Sequence, residues 1–446
     1  IQLKDVVVFG KELSPNKMVR KALMNIADNY PDQSFFQTFF YRHYCQDDGR
    51  YGRLIEAFVD VWKRNGYREL RSNAGQREDL RVSQLRRSLD RTAVAQSHEP
   101  IAVGGALLAD IAAYQVPKES GSLDFYAGLS NLRSEVENYD FTFTGLTSHD
   151  GEEVYEVKYE YPGTRYQNPA GFPFPSKLSG TLFITTGNYA IVRAEELRHR
   201  RNDTIRTSVF YQKHNNRYVP YHITRDGGTY SAGKKIHWFH IELISVEISD
   251  DASKRFEGEL PNKEQLLSIK YDPSYWAQHS VLTATPLEQQ IIHDLGGGKS
   301  LEQQFDLYQQ YQINTNDGGV NGAEKLQWLT HFLRDQNPVL VCYWDGNYNK
   351  NMAELEAFKQ LNRKYRGQCT FVMVSTDDNQ ERWIETVKKN NLELDGLIQY
   401  RIGNTVSITS GKPMYRISNG NGELQDLTVD TEHSLEASIP GPGKTN

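Results

Sequence analysis

The side chains best suited to chemistry in this chain are its three cysteines, Cys45, Cys342 and Cys369. A cysteine attacks as its thiolate, and disulfide exchange or zinc binding needs a second thiol close by, as in C-x-x-C. The separations here give neither pattern. Cys342 opens the stretch CYWDGNYNKNMAEL (342–355), which leaves a buried strand and enters a helix. Cys342 and Cys369 are expected on neighbouring core strands, where two buried, inert thiols are the plain reading. Cys45, far away in sequence, is read the same way. Other chemistry finds less. His237 and His240 are three apart, so in a strand they face opposite ways and share no metal. His214 and His222 flank a predicted turn and are weaker still. There is no G-x-S-x-G, H-E-x-x-H, P-loop or G-x-G-x-x-G. LGGGKS (295–300) lacks the Walker spacing and a preceding strand, and reads as a helix–helix joint. No catalytic residue, cofactor or metal is assigned.

With 446 residues the chain should hold two or three domains. A net charge of −6 and the absence of a basic face exclude a nucleic-acid groove. The basic run over 68–91 is broken by acids and reads as a solvated helix or loop. The 26 Tyr and 19 Phe favour β structure. No apolar run reaches the ~18 residues of a membrane helix. The chain begins at Ile1 without Met, and is expected to be a trimmed or processed piece whose natural start and any lipid anchor lie outside it. YQNPAGFPFPSK (166–177) reads as a packed Ω-loop, or as an exposed recognition loop carrying Tyr166, Phe172 and Phe174.

The elements that must position these residues follow from periodicity. Residues 1–10 read as an edge strand or linker. Ser14 and Pro15 start a helix that NYP ends near 31. SFFQTFFYRHYCQ and RYGRLIEAFVDVWKR, joined by DDG, form a long hairpin, with a helix over 53–64 as competitor. Residues 99–114 hold a short helix. From about 122 the period is two, with turns at HDGEE, TTGNY, HNNR and DGG, giving an antiparallel meander. Residues 271–310 are helical, with starts at Thr285/Glu288 and Ser300/Gln303. A linker at 311–324 leads into α/β: KLQWLTHFLRDQ as helix, then strand, helix, strand, helix, and a strand pair around NGNG.

That order resembles a thioredoxin fold, most of all the thiol–disulfide oxidoreductases of the TlpA/ResA type, over about 300–430. The resemblance puts Trp344 at the aromatic position before W-C-x-x-C. It puts Tyr348 and Asn351 at the two cysteine positions, Glu354 at the acid that follows, and Pro413 at the cis-proline. Tyr348 and Asn351 can neither attack nor resolve a disulfide, so the frame is kept without its reactive atoms. Residues 1–310 are similar to a group of Bacteroidota envelope proteins with a carboxypeptidase-regulatory-like sandwich, through LKDVVVFGKELSP, FFYRHYCQDDGRYGRLIEAFVDVWKRNGY and GTLFITTGNYAIVRAE. This resemblance implies a periplasmic, outer-membrane-associated protein and attaches no activity.

The expected fold is α+β. A half-barrel-like antiparallel sheet with helices on its concave side occupies 1–250. A helical connector (251–310) and linker (311–324) lead to a thioredoxin-like domain (325–430) and a disordered tail (431–446). The architecture is analogous to lipoprotein carriers such as LolA. The expected function is a non-catalytic binding or accessory module of an outer-membrane assembly, with a protein partner. The second is a carrier of lipid or another hydrophobic ligand, which an open apolar pocket under the sheet would favour and a filled one would not. The third is a thiol-dependent oxidoreductase, which burial of Cys342 and Cys369 would count against.

Overall fold

The computed structural model describes residues 14–47, 49–68, 78–88, 92, 95, 101, 103–107, 110, 112, 132, 136–161, 177–199, 203–231, 234–259, 261, 265–266, 269–279, 285–296, 299–306, 338–345, 352–365, 368–392, 397–401, 413–418, 423–427, 432–437 and 439. The expectations for residues 1–10, the linker and KLQWLTHFLRDQ lie outside these residues.

Ten strands form one antiparallel sheet: β1 Phe35–Asp47, β2 Arg50–Lys63, β3 Glu78–Arg87, β4 Asp140–His149, β5 Glu152–Tyr161, β6 Lys177–Thr185, β7 Ile191–His199, β8 Asp203–His214, β9 Arg217–Ser231 and β10 Lys234–Ser249. Their spatial order is β3-β2-β1-β10-β9-β8-β7-β6-β5-β4. A meander runs from β4 to β10, and β10 returns to pair with β1. The sheet is open, with β3 and β4 at its edges. Turn chemistry sets the hairpins. Asp150 and Gly151 (φ 48° and 82°), and Asn215 and Asn216 (φ 48° and 61°), take the left-handed conformations that a tight two-residue hairpin requires.

The inner face of the sheet packs under α1 (Pro15–Met24), α2 (Ile26–Asn29) and α3 (Val103–Leu107). Ser14 caps α1 by accepting from the Lys17 amide, with Pro15 in the first turn. Met18, Val19, Ala22 and Ile26 meet Phe35, Phe39, Tyr41, Ile55, Val59 and Val61. Each such fully buried side chain contributes roughly 1.5–3 kcal/mol. The outer face of β1 and β2 is sealed as well, by α4 (Pro273–Gln278), α5 (Pro286–Gly296) and a helical segment over 301–306. Trp276 packs on Phe40 and Phe58, while Ile291, Leu295 and Leu301 pack on Tyr44 and Leu54. Burial on both faces explains why 53–64 is a strand although its apolar residues also fit a helical period. Both expected helix starts form reciprocal capping pairs, Thr285 with Glu288 and Ser300 with Gln303.

A second, five-stranded sheet has the order β13-β12-β11-β14-β15. Its strands are β11 Val339–Trp344, β12 Thr370–Ser375, β13 Leu397–Arg401, β14 Met414–Ser418 and β15 Leu424–Leu427. The first three are parallel, while β14 and β15 are antiparallel to their neighbours. Helices α6 (Met352–Lys364) and α7 (Gln380–Lys389) connect the parallel strands, and α8 (Glu432–Ala437) follows β15. This meets the thioredoxin-like expectation in part.

Three expectations are corrected, and one strand that the sequence reading did not include is added. Residues 78–87 of the basic run are strand β3, neither helix nor loop. Leu80 and Val82 alternate inward, and a bulge at Ser83 brings Leu85 to the same core. DGG (226–228) is no turn. It lies within β9, where a Cβ on Gly227 would stand 2.2 Å from the Phe239 ring on β10. The tail carries α8, with Leu435 and Ile439 buried in the second core. LIQYR was not read as a strand, yet it forms β13.

Candidate functional site

The degenerate redox frame lies where β11 meets α6. Trp344 ends β11, buried, with an indole N–H that has no partner among the described residues. Glu354 stands in the first turn of α6. Pro413 is buried immediately before β14, and Lys412, with the bond between them, is outside the described residues. Tyr348 and Asn351 are also outside them, as are Tyr166, Phe172 and Phe174 of the candidate binding loop.

The thiols that could do chemistry are all buried. Cys342 is registered between Met373 on β12 and Tyr415 on β14. Burial pushes its thiol far above the ordinary range, the Tyr415 hydroxyl offsets this slightly, and the Glu354 carboxylate adds to it. Cys369 donates to the Pro338 carbonyl at 3.1 Å, and burial pushes its thiol up to about 12. A thiolate attacker needs the opposite, an electropositive and partly exposed setting. Cys342 pairs with Met373, four residues along from Cys369, so the two thiols sit about 13 Å apart along the strands. That is too far for a disulfide. The structure thus brings Cys342, Tyr415 and Glu354 together and keeps Cys369 away.

Sequence reasoning missed a row of charges on the covered part of the outer face. The register sets Arg86, Glu56, Arg42 and Glu242 side by side across β3, β2, β1 and β10. Arg42 donates to Glu56 from Nε at 2.9 Å and to Glu288 of α5 at 2.5 Å, and lies 3.8 Å from Glu242. Arg86 donates to Glu56 at 2.6 Å and pairs with Glu302. His222 meets Glu242 at 2.9 Å. Arg42 and Glu56 are each 2% exposed at the side chain, so this is a desolvated network and not a surface pair. Glu242 feels burial upward, but His222, His240 and Arg42 outweigh it and hold it below the usual range. Tyr44, one row along, is pushed up to about 12 by burial and nearby Glu288.

A second missed cluster lies on the inner face. Asp110 accepts from Lys63 at 2.8 Å, Tyr67 at 2.7 Å and Tyr211 at 2.8 Å, with Asp110 1% exposed. Burial pulls the Lys63 ammonium down, but Asp110 and Glu78 more than compensate, so it stays protonated. A lysine held charged is neither base nor nucleophile. Both clusters pin segments to the sheet. Among the described residues no three His, Cys, Asp or Glu side chains are placed to hold a metal ion, and no helix is long and apolar enough to cross a membrane.

Beside α1 and α2 an open cavity of about 530 Å3 is lined by Leu23, Met24 and Val136 together with Arg20, Asp32 and Arg68. It lies at the flank of the helices, and the space between helix and inner face is filled.

No protein-family model matches this chain, and no curated protein does. Among solved structures, a thiol–disulfide oxidoreductase from Bacteroides fragilis is 17% identical, over 23% of this chain and 80% of its own, with a TM-score of 0.20. A secreted disulfide oxidoreductase from Mycobacterium tuberculosis is 15% identical, over 23% and 79%, also at 0.20. A LolA superfamily protein from Nitrosomonas europaea is 14% identical, over 56% and 96%, at 0.23. At such TM-scores these likenesses carry no weight, and the fold rests on the strand order itself.

Proposed function

We propose that this chain is a non-catalytic binding or accessory protein of the bacterial cell envelope, working in an outer-membrane-associated assembly with a protein partner. We further propose that it divides as the sequence suggests, into a large sheet unit followed by a redox-inactive thioredoxin-like unit. The observation that carries the non-catalytic reading is the state of the thiols. Cys342 and Cys369 are buried, raised in pKa and held apart, which is the outcome that counts against a thiol-dependent oxidoreductase. The envelope setting rests on the resemblance of residues 1–310 alone. The test is a pull-down from solubilised outer membrane with the full-length tagged protein, followed by mass spectrometry of proteins and lipids together. A stoichiometric membrane protein is the expected result. Co-purified lipid without a protein would overturn it in favour of a carrier.

The carrier reading stands second. The open cavity beside α1 and the 80% exposure of Met24 favour it. The packed inner face, and the charged side chains around the cavity, speak for the accessory reading.

A further inference from the structure

We propose that the open half of the outer sheet face carries a binding groove for a neutral, hydroxyl-rich ligand, an oligosaccharide, running along β6. The groove follows from side-chain length. On this face β6 presents Ser179 and Thr181, which are short, while β5 presents Lys158 and Glu160 and β7 presents Glu195. Together they enclose a depression of about 320 Å3 that opens to solvent. The walls stand two strand spacings apart, about 9.5 Å, which admits one sugar ring across. Phe183, the next residue of β6 on this face, follows Thr181 along the strand, and Arg193 lies 4.8 Å from its ring.

Three observations select the ligand. First, the charged side chains facing the groove are of both signs, Lys158 and Arg206 with Glu160 and Glu195, while the Glu196 carboxylate lies buried with Arg198 on the opposite face, so a neutral ligand fits better than a strongly charged one. Second, the side chains of Lys158, Glu160 and Arg206 form no hydrogen bond or ion pair with any described residue. Other charges on the same face are paired off, Glu195 at the groove wall with Arg193 and, farther along, His222 with Glu242. Donors, acceptors and hydroxyls are therefore left facing the groove, the mixture that sugar hydroxyls satisfy. Third, β5, β6 and β7 pair with one another through their backbones, so a peptide cannot add as a strand here. The floor is stiff as well. Gly180 faces the core, where a Cβ would stand 2.4 Å from the Tyr159 ring, and the Tyr159 hydroxyl reaches over β6 to the Glu195 carbonyl at 3.1 Å.

The site is independent of the accessory reading above. The test is calorimetric titration of the full chain with cellohexaose, maltohexaose and chitohexaose in turn. At least one should bind. Thr181→Arg, which fills the groove, should weaken binding about tenfold or more. Lys158→Ala, at the exposed rim, should weaken it a few-fold with an unchanged circular dichroism spectrum, which covers the case in which the first variant misfolds. No heat of binding with any of the three up to about 10 mM would overturn the proposal. So would binding that both folded variants leave unchanged.

Discussion

The central strands of the two cores treat polar side chains differently. In the ten-stranded sheet, β1 and β2 are sealed on both faces, and each face carries buried charge: Arg42 with Glu56 and Glu288 outside, Lys63 with Asp110 inside. In the five-stranded sheet every residue of β11 is buried, and the polar atoms in that strand are a thiol, a hydroxyl and an indole N–H. The difference teaches what each core is built to specify. Apolar packing alone lets a long antiparallel sheet slip or a covering helix slide, because greasy surfaces fit in many ways. A buried ion pair has one good geometry, and a two-residue slip would strand a charge in the interior. Here the ion network names the place where α5 sits. The five-stranded sheet keeps its buried charges off the strands, Asp377 after β12 with Arg382 of α7 and Lys359 with Glu356 on α6, while its crossover helices fix the strand order.

Breaking the outer network should have the largest effect. Arg42→Ala leaves Glu56 and Glu288 without their shared cation, and should cost about 3–5 kcal/mol in denaturant unfolding. If α5 were held by apolar packing alone, the loss would be that of an ordinary surface arginine. Asp110→Ala comes next, at about 3 kcal/mol, because it removes the buried acceptor shared by Lys63, Tyr67 and Tyr211 and leaves Lys63 to Glu78 at 3.5 Å. An Asp110→Ala, Lys63→Met double variant should regain part of that loss, as measured in a double-mutant cycle.

Acid should act on the first core more than on the second. Asp79 is held below the usual carboxylate range by its hydrogen bonds from Arg64, against the opposing effect of burial, and Glu242 is depressed as described above. A depressed carboxylate contributes stability that is present above its unfolded pKa, about 4, and lost as pH falls through the folded value. The unfolding midpoint of the sheet unit should therefore drop below about pH 4, and Glu242→Gln should shallow that limb. A midpoint that holds flat to lower pH would mean the network contributes no net stabilisation. The smallest effect is expected from Cys342→Ala, about 1 kcal/mol from lost packing, with no change in any redox behaviour.

Much of the architecture was legible in the sequence, for local reasons. The HDG and HNN turns fix hairpins and hence register, and VLVCYW is buried throughout because a strand inside a mostly parallel sheet is covered on both sides. The second sheet's missed members, β13 and α8, are short and carry weak patterns. DGG misled because glycine marks a turn and also a place where a neighbouring ring lies over the backbone, and only the partner strand distinguishes them. The ion row was not legible: a regular hairpin from Asp47 and Arg50 sets Arg42 opposite Ile55, and only the bulge between Cys45 and Gln46 brings Glu56 opposite it. Glu288 and Glu302 arrive from more than 200 residues away, and no local pattern announces them. The frame around Trp344 was legible from order alone, whereas the burial that silences Cys342 is a tertiary fact.

The most direct test of the central claim is titration of the native full-length chain with a chromogenic disulfide reagent at pH 7. A thiol whose pKa is near 12 is thiolate in about one molecule in 10^5 at that pH. The account predicts no rapid reaction of the folded protein and release of all three cysteines only on unfolding. A fast, stoichiometric reaction of Cys342 or Cys369 in the folded state would contradict it, and would return the thioredoxin-like unit to the enzymes.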